Sequence, residues 1–123
     1  MSRSHPKNSL SDFKDYVVQD LLSGLEGVRA KAMFGGFGVY KDDTMFGILV
    51  DDELYFKVDQ TNQNEFEKRG SQPFSYKSKR RKENVVMSYW NVPLEILEDR
   101  DEMTRWAEQS YKINKRLKMA KKR

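Results

Sequence analysis

The stretch MFGGFGVYKDDTMFGILVDDELYFKV, residues 33–58, decides how this chain folds, because three short apolar runs in it are separated by two acidic doublets. The runs 37–41, 44–50 and 54–58 are rich in β-branched and aromatic residues, while Asp42-Asp43 and Asp51-Asp52 stand where a chain must reverse. Aspartate tolerates left-handed backbone and bonds its own turn. The spacing therefore predicts a three-stranded β-meander. Just ahead of it, Gly35, Gly36 and Gly38 leave the backbone bare at a corner, which predicts a bend or bulge with flanking aromatics packed over it.

Working outward, residues 28–34 alternate Val28, Ala30, Ala32 and Phe34 against Arg29, Lys31 and Met33, the pattern of a strand with one wet face. Before it, Leu10, Phe13, Val17 and Leu21 recur at helical spacing, with Ser9 or Ser11 as N-cap and Gly24 as C-cap. After the meander, Asn62 or Thr61 caps a short helix anchored by Phe66 and closed by Gly70, with Glu65 placed as in a capping box. Phe74-Ser75-Tyr76 and residues 84–90 then read as a hairpin whose long tip is KSKRRKEN. Last comes a helix from Asp99 or Asp101 onward, with Met103, Trp106, Ala107, Ser110, Ile113, Leu117 and Ala120 on one stripe.

A chain of 123 residues makes one domain with one core, and seven Phe, six Tyr and two Trp compensate for a hydrophobic fraction of only 37%. The absence of cysteine excludes disulfides and thiolate chemistry and fits a reducing compartment. No apolar run reaches the length of a bilayer span, and the opening MSRSHPKNSL carries no secretion signal. The net charge of +4 is unevenly placed. Residues 77–82 and 112–123 hold twelve of the 23 basic residues and none of the 19 acidic ones, so the remainder is acidic. Affinity for phosphate is therefore confined to two addresses.

Catalysis finds little support in these residues. The single histidine, His5, sits in the leader, outside the fold. The acidic doublets read as turns rather than a cation site, and MFGGFG lacks the spacing of a Walker or dinucleotide loop and runs into a strand instead of a helix. The direct hint is the tip, where Lys77, Lys79, Arg80, Arg81 and Lys82 can neutralise phosphates and Tyr76, Tyr89 and Trp90 can offer stacking faces. Lys115, Arg116 and Lys118 in the basic tail form the second contact candidate, and the bland reading of both runs is a solvated surface.

Six motifs in order, residues 29–40, Met45-Phe46-Gly47, Leu54-Tyr55-Phe56-Lys57-Val58, Pro73-Phe74-Ser75-Tyr76, Met87-Ser88-Tyr89-Trp90 and Trp106-Ala107, resemble the N-terminal domain of the TfoX (Sxy) competence regulators over about residues 11–113. Met33, Phe34, Gly35, Gly36, Gly38, Tyr55, Lys57, Tyr89, Trp90 and Trp106 are the structural signature that carries the likeness. The resemblance implies an α+β fold, a two-layer antiparallel sheet with helices in the order α-β3-α-β2-α, as in secretion chaperones. It also implies a bacterial cytoplasmic setting and a link to transcriptional activation of DNA-uptake genes, exerted with a cyclic-AMP receptor-type activator. The family's motif residues look architectural, Phe34, Phe37, Tyr40, Phe46, Tyr55 and Trp90 being what a sheet core needs, and no catalytic set carries over.

The resulting expectations are a leader over 1–8, a domain over 9–113 and a basic helical tail over 114–123, without the second helical domain of full-length regulators. The expected role is a non-enzymatic, cofactor-free module that touches a protein partner of the transcription machinery. Direct nucleic-acid binding through the tip and tail is the alternative. No membrane contact is expected, and the chain is a monomer or a homodimer formed through an edge strand or the last helix.

Overall fold

The computed structural model describes residues 9–33, 35–78, 80 and 83–121, with side chains from residue 12 onward. The elements follow as α1 (Ser9–Tyr16), a π-helical turn (Val17–Leu21), β1 (Val28–Met33), β2 (Gly36–Lys41), β3 (Thr44–Val50), β4 (Glu53–Lys57), α2 (Gln63–Lys68), β5 (Pro73–Lys77), β6 (Asn84–Asn91), α3 (Leu94–Leu97) and α4 (Arg100–Lys121). One six-stranded antiparallel sheet results, in the order β1-β2-β3-β4-β6-β5. The α+β class stands. Four strands precede α2 rather than the three of the order the resemblance implied, because β1 pairs with β2 along its whole length.

Both acidic doublets are hairpin turns. Asp51 and Asp52 have φ of 52° and 62°, the left-handed pair that a two-residue hairpin matched to strand twist requires, and Asp42 has φ of 55°. Gly70 has φ of 77°, and the Ser71 and Gly70 amides bond the Phe66 and Glu67 carbonyls at 3.1 and 3.0 Å, closing α2 as expected. At the other end of α2 the expectation fails. The Asn62 side chain does not cap; it accepts the Asp59 amide at 2.9 Å and donates to the Lys57 carbonyl at 3.2 Å, tying down the end of β4. Gly24 is no left-handed cap either. It leaves room for α4, a Cβ there lying 2.5 Å from Thr104 Oγ1. The caps expected at Ser9 or Ser11 lie outside the described side chains.

One face of the sheet holds the core. Phe46, Phe56, Phe66, Trp106, Leu54, Met103 and Val17 are all buried, and Phe66 joins Trp106 and Trp90 with ring centroids 4.6 and 6.5 Å apart. Ring pairs of this kind add about 1 kcal/mol each beyond burial. The register jumps from Tyr40 opposite Met45 to Val39 opposite Gly47, so Phe46 is a bulged residue. The bulge turns both Phe46 and Leu49 into the core and leaves Met45 and Ile48 on the opposite face.

Asp99 starts α4: its carboxylate accepts the Asp101 and Glu102 amides, both at 3.1 Å. The apolar stripe of α4 is buried only as far as Ile113, whereas Leu117 is 48% exposed and Ala120 is exposed. The helix outruns the sheet beneath it. Tyr40 and Tyr55, expected in the core, lie on the far side of the sheet with Met45 and Ile48; Phe37 and Trp90 pack against the core, and Phe34 lies outside the described residues.

Candidate interaction surface

Strands β5 and β6 form the hairpin expected from the sequence. Lys77 ends β5, Asn84 begins β6, and the Ser78 amide bonds the Glu83 carbonyl at 2.9 Å across the neck. Lys77 and Arg80 are exposed, and neither makes an ion pair with another described residue. Lys79, Arg81 and Lys82 lie outside the described residues. Of the three rings expected near the tip, Tyr76 is 48% exposed, but Tyr89 is buried and Trp90 faces Phe66, so they form no common stacking platform.

The tail behaves differently from the tip. Lys118 Nζ donates to the Asp43 carbonyl at 2.9 Å and pairs with its carboxylate at 3.1 Å, and Arg116 stands 3.7 Å from the Asp59 carboxylate. The Lys118 bond, with the Thr44 hydroxyl, holds the Asp43 carboxyl below its ordinary value. These cations fasten α4 to the turns at the ends of β2 and β4. Lys115 is half-buried beside them.

Polar anchors complete this junction. Asn114 donates to the Met45 carbonyl at 2.9 Å and to the Tyr89 hydroxyl at 3.0 Å, and Ser110 donates to the Lys57 carbonyl at 2.7 Å. Burial pushes the Tyr89 hydroxyl up, against the opposing pull of the Asn114 bond. Burial also pulls the Lys57 ammonium down, with Asp59 opposing. That ammonium donates to Ser88 Oγ at 2.5 Å and lies 5.5 Å from the Tyr89 ring centroid.

The feature not anticipated from the sequence is on the far face of the sheet, away from α4. An apolar groove of about 650 Å³ opens there, lined by Met33, Met45, Ile48, Phe74, Tyr76 and Met87 among others. Its floor is made possible by Gly38, where a Cβ would lie 2.8 and 2.9 Å from the Met33 and Met45 sulfurs. Methionines, with the edge of Tyr40, thus fill the space expected for aromatics alone. One wall is the β5–β6 hairpin, with Tyr55 edge-on to Phe74 at 5.0 Å. A signal was present in the sequence: Met45-Phe46-Gly47-Ile48-Leu49-Val50 is apolar without alternation, as in a strand covered on both faces.

The signature residues accordingly do four jobs. Met33, Gly36, Gly38 and Tyr55 shape the groove side, Lys57 and Tyr89 join the sheet to α4, and Trp90 and Trp106 enclose Phe66. Gly35, with φ of 77°, turns β1 into β2. Among the described residues no three His, Cys, Asp or Glu side chains are grouped to hold a metal ion, and no helix is long and apolar enough to cross a membrane.

No curated protein sequence matches the chain closely enough to count as a relative. The family model of the TfoX N-terminal domain matches residues 20–113, a span that takes in every strand, α2, α3, most of α4 and both tryptophans. With that span covering most of its 123 residues and the fold in agreement, the chain belongs to the TfoX N-terminal domain family, a family of regulatory domains.

Proposed function

We propose that this protein is a non-enzymatic regulatory module that acts on transcription of DNA-uptake genes in a bacterial cytoplasm through a protein partner of the transcription machinery. The observation that carries the reading is the family match over residues 20–113, since competence-related regulation is what the family suggests. The open apolar groove supports it, because such surfaces mark sites of association. The test is cross-linking and affinity capture from the native cell, with transcripts of DNA-uptake genes measured in a strain lacking the gene. Recovery of a transcription factor or polymerase subunit together with a transcript change is expected; capture of neither and unchanged transcripts would sink the proposal.

Direct nucleic-acid binding is the second reading, and one observation favours it at the tip alone: Lys77 and Arg80 have no acidic partner among the described residues, whereas Arg116 and Lys118 are already paired. It predicts binding that falls steeply with salt and drops on Arg80→Ala. A flat response at low salt rejects it.

A further inference from the structure

We propose that the groove on the face of the sheet opposite the core seats an amphipathic helix of a protein partner, apolar side down, with carboxylates along the flank that faces β1. This rests on the reading of the chain as an interaction module and says which surface acts and what fits it.

The form of the occupant follows from where the groove lies. It is on a sheet face, not an edge, so the sheet offers methionine, isoleucine and ring surfaces and no free backbone groups. An extended segment laid there would press its own N–H and C=O groups against apolar atoms without partners. A helix satisfies its backbone internally and inserts side chains at i, i+3, i+4 and i+7. The flexible thioethers of Met33, Met45 and Met87 adapt to such side chains better than branched residues do. The floor strand β3 has seven residues, about 23 Å, which a helix of roughly 15 residues matches.

The charge of the occupant follows from the register. Lys31 on β1 stands directly opposite Gly38, and residues opposed in an antiparallel pair share a face, so Lys31 flanks the groove. It is exposed and pairs with no described residue. Arg29, two residues along the same flank, lies over the Tyr40 ring at 5.0 Å and donates to the Asp42 carbonyl at 3.1 Å, which leaves its charge without a carboxylate. The far end is acidic. Glu53 stands opposite Val50 there, and Asp51 and Glu53 add to the burial that pushes the Tyr55 hydroxyl up. A helix therefore lies with its acidic flank toward β1 and Lys31.

The test uses the full chain labelled with ¹³C at the methionine methyls and two synthetic 15-residue helical peptides with one leucine face, flanked by Glu in one and by Lys in the other. The Glu peptide is expected to shift the Met33, Met45 and Met87 methyls and leave Met103, buried on the inner side of α4, in place. Lys31→Glu, on an exposed site that does not threaten the fold, is expected to weaken that binding about tenfold. Met87→Glu is expected to abolish it. Equal binding of the Lys peptide, no methyl shift at millimolar peptide, the same shifts on raising protein concentration alone, or the same shifts with a DNA duplex would each overturn the proposal. The two readings fail separately: a Lys31→Glu strain with normal regulation removes the groove and leaves the module, while unchanged transcripts in the deletion strain remove the regulatory role and leave the peptide result intact.

Discussion

Replacing Asn114 by alanine tests whether a single amide ties α4 to the sheet. Asn114 makes two hydrogen bonds, to the Met45 carbonyl and the Tyr89 hydroxyl, in a region where Tyr89 is only 6% exposed. Each is worth about 1 kcal/mol net. Alanine returns about 0.5 kcal/mol through its better helix propensity. The expected loss is therefore about 1.5 kcal/mol, a fall of about 5 °C in melting temperature for a chain of this size. Tyr89→Phe removes only the second bond and is expected to lose about 1 kcal/mol.

Because the Asn114–Tyr89 bond can be lost only once, the double variant is expected to fall by about 1.5 kcal/mol rather than 2.5, a coupling of about 1 kcal/mol. Urea unfolding followed by tryptophan fluorescence measures all three. A second readout is alkaline. Burial raises the Tyr89 hydroxyl in the fold, so the unfolded chain gives up its proton first, and the contribution is fully present below about pH 10 and lost as pH rises through the folded value. The Asn114 bond lowers that value, so Asn114→Ala is expected to delay Tyr89 ionisation further. Additive losses within about 0.3 kcal/mol, or an earlier Tyr89 ionisation, would refute the argument.

Gly36→Ala places a Cβ 2.1 Å from the Leu49 carbonyl oxygen, a backbone atom that cannot step aside, and is expected to destabilise by about 2 kcal/mol or more in urea. A loss under about 0.5 kcal/mol would count against that close approach. Trp106→Ala removes the ring that closes the core over Phe66 and is expected to cost about 3–5 kcal/mol, read as a large loss of folded protein by circular dichroism. Asp43 and Glu102 are held below their ordinary values by Lys118 and Arg105, so their contributions are present above about pH 4 and lost as pH falls through the lower folded values. Melting temperatures of the parent and Lys118→Ala are therefore expected to converge between pH 5 and about pH 2 and with added salt; a constant gap would exclude the Asp43 pair as its source.

Much of the fold was legible because its signals are local. Asp51-Asp52 reads as a turn since few residues accept left-handed backbone, Gly70 as a helix stop for the same reason, and Phe66 and Trp106 as anchors because rings that large need cover. The failures share a cause too. From its neighbours in sequence Asn62 reads as a cap, yet its amide serves the Lys57 carbonyl; Gly24 reads as a cap, yet it makes room for Thr104 on a helix some eighty residues away.

The sequence by itself determined most of the elements, their turns, the family and the two basic addresses, because propensity, periodicity and charge runs act over a few residues. Only the tertiary structure decided what those residues face. It spent Arg116 and Lys118 on Asp59 and Asp43, left Lys77 and Arg80 without a described acidic partner, and used one bulged residue, Phe46, to turn Met45 and Ile48 away from the core. The groove exists because strand pairing brings Met33 and Met45 over the bare backbone of Gly38 and Met87 into the same lining, and no short-range pattern records that meeting.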